Sequence, residues 1–317
     1  AFLMVLSWET AVLERFVAPL RPEEISSTSR SYHACVRGPD RLARRLGLAD
    51  AVFIGLGSMI GTGAFVAIAP AASAAGTGLL IGLVAAGVVA LLNAMSSAQL
   101  ARLYPVSGGT YVYAGERLGE AWGWMAGWGF IIGKLASCAA AALTFGHYVF
   151  PEHASWLAAL AVVAFTALNY LGVQKTAAAV KVIVLIVLSS LAAVIVMAVS
   201  STSGSNTIGP LVGPGGLYGV LQSAGIWFFA FAGYARIATL GEEVKDPGRT
   251  IPRAILLSLS IVLLVYAAVS ISALMTVGPD ALAGSNDPLA LVVSAAGFGE
   301  WRWVVVLGAS MATPGVL

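Results

Sequence analysis

Gly55-Leu56-Gly57-Ser58-Met59-Ile60-Gly61-Thr62-Gly63 packs four glycines into nine residues of an apolar run that extends from 50 to 72. A run of about 20 apolar residues is what a helix needs to cross a bilayer core about 30 Å thick. Glycine inside a helix costs about 1 kcal/mol against alanine, so this stretch is poised to unwind in the middle of a span. Unwound backbone at that depth persists only where it is buried in protein or lines a cavity. Its freed N–H groups then face outward at the start of the next half-helix, with the positive dipole end behind them, and favour an anion. Close helix packing is the competing reading for Gly57 and Gly61, which form a GxxxG pair.

The rest of the chain fits a membrane. Of 317 residues, 59% are hydrophobic and 10% charged, and the mean hydropathy is +0.89. A soluble domain carries about 25% charged residues, so a soluble enzyme, a disordered chain and a nucleic-acid module are all excluded. Blocks of alternating hydrophobicity are missing, which argues against an outer-membrane barrel. The two cysteines, Cys35 and Cys138, cannot make a disulfide framework or a cysteine-rich zinc site. His33, His147 and His153 share no ligand spacing with them or with one another. No metal or cofactor is therefore expected. Neither a nucleophile–base set nor a phosphate-cradling loop is visible, so no enzymatic activity is expected either.

Seven apolar runs meet the spanning length, at 50–72, 79–103, 122–150, 154–172, 178–200, 216–241 and 254–277. An eighth begins near Trp301 and is still apolar at Leu317, which reads as a C-terminally truncated piece of a longer protein. Residues 1–49 read as a polar, Arg-containing tail. Lys and Arg mark the cytosolic loops. With the tail inside, the inner segments hold fourteen of them and the outer segments only Arg302. The N-terminus is therefore expected in the cytosol, and the protein multi-pass in the plasma membrane. Gly119, Gly123, Gly127, Gly129 and Gly133 supply small residues for close approach along the third span, and Trp122, Trp124 and Trp128 fit an interfacial belt. Segment 277–300 reads as an outer loop carrying a short helix, Pro288 to Ala296, over the site.

A second interruption falls in the sixth span, at Phe228-Phe229-Ala230-Phe231-Ala232-Gly233-Tyr234. Spans one and six occupy corresponding places if residues 50–200 form one five-helix repeat and 216–317 part of a second. Matched interrupted helices in two halves are the best sequence pointer to a transporter site.

Three stretches resemble the amino acid–polyamine–organocation family of permeases: Gly57-Ser58-Met59-Ile60-Gly61-Thr62-Gly63-Ala64-Phe65, the loop Tyr104-Pro105-Val106-Ser107-Gly108-Gly109-Thr110-Tyr111-Val112-Tyr113, and Gly241-Glu242-Glu243-Val244-Lys245-Asp246-Pro247-Gly248-Arg249-Thr250-Ile251-Pro252-Arg253. The likeness runs from about Leu46 to the end. It implies an all-α, inverted-repeat (LeuT-like) transporter fold with discontinuous first and sixth helices, usually of twelve spans, so that the second repeat is incomplete here. It also implies alternating-access transport of an amino acid or small amine, coupled to a proton or sodium ion or run as exchange. In that likeness the N–H groups of Gly61, Thr62 and Gly63 hold the substrate carboxylate. Carbonyls near Met59 and Ile60, and near Phe229 and Ala230, take the ammonium. Phe229 or Phe231 covers the substrate, while Ala232 and Gly233 leave room for its side chain. A transporter-like sensor that binds without translocating, and an inactive fragment, are the alternatives.

The chain departs from some relatives in two places. Ala235 and Arg236 stand where an acidic residue is sometimes found, so no carboxylate is available there for a cationic substrate side chain. The middle of the fifth span reads Val187-Leu188-Ser189-Ser190, with Lys181 nearer the cytosolic end, which leaves the coupling ion open.

Two basic residues lie within spans. Lys134, about twelve residues into the third, is by its depth either a charge-compensating or proton-linked group or a snorkelling strut. Arg236 either pairs with Glu242 or Glu243 as a cytosolic latch or reaches the interface.

Overall fold

The computed structural model describes residues 45–104, 109–170, 177–201, 215–241 and 243–316. These residues are helical almost throughout, and six helical runs are long and apolar enough to cross a membrane. The chain is an all-α polytopic membrane protein.

The first span comprises α1 (Leu48–Val66) and α2 (Ile68–Ala75). A tight turn at Gly76, with φ +59°, leads into α3 (Leu79–Leu103). Next come α4 (Thr110–Leu118) and α5 (Glu120–Val149), joined at Gly119 with φ +103°. The helices α6 (Ala154–Tyr170) and α7 (Ala177–Ser200) complete the first half. The sixth span is α8 (Gly216–Phe231), a 3₁₀ turn (Ala232–Tyr234) and α9 (Ala235–Ala238). After it run α10 (Pro247–Ala283), α11 (Pro288–Ala295) and α12 (Arg302–Val316).

Six of the seven runs read from hydropathy are helices of spanning length, the fourth gives the 17-residue α6 with 171–172 outside the described residues, and one helix differs in its bounds. Helix α10 starts at Pro247, earlier than its apolar run, because a proline at the first helical position is pre-set for a helix. It also continues through Gly278 (φ +78°) and Pro279 to Ala283, so part of the segment read as outer loop is helix. A glycine that adopts φ > 0 and a proline that can restart a helix allow that kink.

Packing follows the spacing of small and large residues. On α3, Leu79, Leu83, Ala86, Ala90, Ala94, Ala98 and Ala101 are buried, a stripe recurring every three or four positions that brings neighbouring backbones close. Its opposite face exposes Val84, Val88, Leu92 and Met95, a row fit for lipid or further helices. The buried interior is built from α1, α3, α8 and α10, with Ile60, Phe65, Trp227, Phe231 and Tyr266 all under 2% exposed. The third-span glycine stripe is used in part: a Cβ at Gly123 would lie 2.9 Å from the Cα of Gly115, whereas Gly129 and Gly133 face no described atom within 4 Å. Trp122, Trp124 and Trp128 are exposed along the same helix.

Candidate functional site

The chain departs from regular α-helix at both places, by a kink at the first and by a 3₁₀ turn that keeps helical dihedrals at the second. Within α1 the backbone leaves helical geometry at Gly61 (φ −39°, ψ −105°). Thr62 and Gly63 thus open the outer half-helix, and N–H groups in a first turn have no partner in their own helix. In the sixth span the α-helix stops at Phe231 and tightens into the 3₁₀ turn at Ala232–Tyr234.

The two breaks touch. Ser58 Oγ donates to the carbonyl of Gly233 at 2.8 Å and lies 3.0 Å from that of Gly55. A Cβ at Gly233 would collide with the Ser58 carbonyl, and one at Gly63 with the Tyr266 hydroxyl and the Ala230 methyl. Gly233 and Gly63 are therefore required by close approach. Their neighbours Met59 and Ile60 are 1% exposed and Ala230 8%, while Gly61 is buried and Ala232 half-buried.

Tyr266 of α10 joins the breaks a second time. Its hydroxyl donates to the Met59 carbonyl at 2.6 Å and lies 3.4 Å from the Ala230 carbonyl. Those are two of the four carbonyls expected to take an ammonium group. The Tyr266 ring sits 5.3 Å from both Trp227 and Phe231. Of the two aromatics considered as a cover, Phe231 is fully buried in this cluster, whereas Phe229 is 46% exposed.

Ties also form at each end of the first span. At the C-terminal end of α1, the fully buried Tyr148 of α5 donates to the Phe65 carbonyl at 3.0 Å and accepts from the Leu289 N–H at 3.4 Å. Leu289 belongs to α11, the short helix expected over the site, which buries Leu289, Ala290, Val292 and Val293. The loop is clamped by Arg302 on Asp287 at 2.9 Å. At the N-terminal end of α1, Lys181 of α7 pairs with Asp50 in its first turn at 2.6 Å. Asp50 also accepts from the Gly47 N–H at 2.8 Å. Leu46 donates to the Glu243 carbonyl and accepts from Lys245 N–H, at 3.1 and 2.9 Å. A small apolar cavity between α1, α7 and α12 is lined by Gly57, Ile60, Gly61, Val184, Val187 and Ala312.

Of the charged residues read from the spans, Arg236 follows the second break by two residues and Lys134 lies on α5. Lys134 is half-buried, its ammonium 5.8 Å from the centre of the Phe130 ring, and no carboxylate pairs with it among the described residues. Arg236 is exposed, with Nη1 3.4 Å from Thr239 Oγ1. Glu243 accepts from the Leu46 N–H through its backbone, while Glu242 lies outside the described residues. So does the Pro105–Gly108 part of the second motif; its flanks Tyr104 and Tyr113 are buried, with the Arg117 guanidinium over the Tyr104 ring at 5.7 Å. Among the described residues no cluster of His, Cys, Asp and Glu could hold a metal.

Ser58, Tyr148 and Tyr266 were not singled out from the sequence. Ser58 carried a signal, as the one hydroxyl among the glycines before the break. The two tyrosines had none beyond being polar residues within apolar runs.

Crossed by two broken helices in contact, this helical bundle has the build of a membrane permease. Residues 50–308 match the family model described as amino acid permease, and the chain belongs to that family, one of permeases rather than enzymes. It is 56% identical over 279 residues to an uncharacterized transporter of Mycobacterium tuberculosis, covering 88% of this chain and 63% of the relative. It is 31% identical over 303 residues to a branched-chain amino acid permease of Bacillus subtilis, covering 87% and 64%. A methylthioribose transporter of the same organism is 28% identical over 291 residues, covering 84% and 62%. The chain thus spans less than two thirds of the length of these relatives.

Proposed function

We propose that the whole protein is a secondary active transporter of a neutral α-amino acid with an aliphatic side chain, working by alternating access. The observation that carries this reading is the contact between the breaks at Gly61 and Ala232–Tyr234. Gly61, Thr62 and Gly63 present N–H groups at a half-helix start, suited to a carboxylate. Opposite them, the carbonyls of Met59, Ile60, Phe229 and Ala230 end the preceding half-helices and suit an ammonium. A zwitterion needs both ends, and no covalent chemistry is required.

Phe229, the exposed aromatic beside the second break, is the better cover over a bound substrate, because Phe231 is held in the core. Ala232 and Gly233 leave space for the side chain. The branched-chain permease among the relatives supports an aliphatic one, and so does Ala235-Arg236, which offers no acid to a cationic substrate. Residues 50–200 form the first repeat and 216–317 part of an inverted second one, behind a cytosolic tail at 1–49. The protein sits in the plasma membrane with its N-terminus in the cytosol. The inner tie at Asp50–Lys181 and Leu46–Lys245 and the outer tie at Tyr148 are the contacts that alternate. Transport draws on a proton or sodium gradient or on exchange, with Lys134 as the charge-compensating group.

Binding of radiolabelled L-leucine to the purified full-length protein, challenged with each unlabelled amino acid, tests the substrate class. Displacement by isoleucine and valine but not by lysine or aspartate is expected. Displacement by lysine ahead of valine contradicts it.

A further inference from the structure

We propose that Tyr266 is a specificity-determining residue whose hydroxyl stands in for the substrate ammonium in the empty site, and that binding exchanges the one for the other. This rests on the site reading above and concerns how its ammonium end is gated.

The position of the phenol oxygen is the first ground. It lies 2.6 Å from the Met59 carbonyl and 3.4 Å from that of Ala230. An ammonium nitrogen bonded to those oxygens would occupy the same place, since charge-assisted N–H···O distances are about 2.7–2.9 Å. The donor count is the second. A phenol has a single proton, which the Met59 carbonyl takes, leaving Ala230 the longer contact. An ammonium has three and satisfies both carbonyls at once. The exchange therefore improves the hydrogen bonding of two carbonyls at a helix break, while an uncharged analogue with no better donor leaves the phenol where it is.

The surroundings let the hydroxyl act this way. Gly63 has no side chain, and a Cβ there would collide with the Tyr266 hydroxyl. The phenol tip thus reaches the carbonyls through space that glycine leaves open, next to the N–H groups assigned to the carboxylate. The ring is 1% exposed, so water does not compete for these carbonyls. Polar groups to receive the released hydroxyl are close by. Trp227, whose ring touches that of Tyr266, has a buried indole N–H without a partner among the described residues, and Ser270, one turn along α10, has a buried hydroxyl in the same condition.

Removing the hydroxyl takes away the donor these two carbonyls share in the empty state and lowers the cost of bringing in an ammonium. The experiment uses the full-length protein with L-leucine as probe, by equilibrium binding to wild type and to Tyr266→Phe. Affinity is expected to rise about three- to tenfold in the variant, the equivalent of one neutral hydrogen bond. A second measurement keeps the hydroxyl: 3-fluorotyrosine is placed at position 266 and its fluorine resonance followed during titration with L-leucine. The resonance is expected to move with the same dissociation constant as binding.

Unchanged or weaker binding in Tyr266→Phe, or a resonance that stays fixed while leucine binds, overturns the exchange and makes Tyr266 a structural strut. The site reading survives that result. If wild type binds none of leucine, isoleucine or valine, the site reading falls and the proposal with it. Where Tyr266→Phe does not fold, the fluorine titration decides alone.

Discussion

Ser58 donates its hydroxyl hydrogen to the carbonyl of Gly233, 175 residues away, at 2.8 Å. One side chain thereby fastens the break of the first span to the break of the sixth. It works only because Gly233 has no Cβ, for one would run into the Ser58 backbone.

Replacing Ser58 with Ala removes this tie, at a cost of about 1 kcal/mol for a neutral hydrogen bond. The thermal midpoint of the purified full-length protein is expected to fall. Saturating leucine should restore part of the loss, because a ligand that binds only the folded state stabilises it by mass action. Equal midpoints for wild type and Ser58→Ala would show that the tie carries no weight.

Gly63 and Gly57 separate backbone ligand from close packing. A Cβ at Gly63 meets the Tyr266 hydroxyl and lies 2.8 Å from the Ala230 methyl, whereas at Gly57 the nearest atom is Val184 Cγ2 at 3.2 Å. Overpacking costs about 1–3 kcal/mol, so Gly63→Ala is expected to weaken leucine binding by about tenfold or more. Gly57→Ala, facing only the side chains of Val184 and Val180, should change it by less than about threefold. Equal losses in equilibrium binding would favour plain helix packing for the whole glycine cluster.

Asp50 and Lys181 hold the N-terminal end of α1 against α7 at 2.6 Å, with both side chains partly exposed. Pairs open to solvent contribute about 0–1 kcal/mol, enough to bias two conformations without unfolding either. Lys181→Met is expected to leave the thermal midpoint nearly unchanged. It should speed modification, by a water-soluble thiol reagent, of a cysteine placed at buried Ala51. An unchanged labelling rate would remove this pair from the inner tie.

Lys134 is half-buried on a helix whose neighbours Ile132 and Leu135 are exposed and apolar. A cation over an aromatic ring gains about 0.5–2 kcal/mol, which stabilises the ammonium but does not make it functional. If Lys134 compensates charge during transport, Lys134→Ala should flatten the pH dependence of leucine uptake while leaving leucine affinity intact. Full pH-dependent uptake in Lys134→Ala would leave it a strut.

Much of this molecule was legible before its structure. Hydropathy placed the spans because a bilayer imposes one length and one composition on every helix, and the glycine cluster bracketed the break, which falls at Gly61, within nine residues. The sixth-span break was weaker in sequence, one glycine among aromatics, and became readable only by pairing with the first. Tyr266 and Tyr148 stayed hidden because nothing in a sequence says which face of a uniformly apolar helix turns toward which carbonyl. The division of labour between Phe229 and Phe231 was hidden for the same reason: two residues apart on a helix, one points out and the other into the core. The helical extension of α10 beyond Gly278 was missed because Gly followed by Pro usually ends a helix.

The central claim is that the joined breaks form the substrate site of a carrier. Counterflow tests it most directly, with the full-length protein in liposomes preloaded with unlabelled L-leucine and given a trace of labelled leucine outside. A carrier gives a transient accumulation of label inside above equilibrium, abolished by Gly63→Ala. Saturable binding of leucine with no accumulation would contradict the claim and make the protein a sensor.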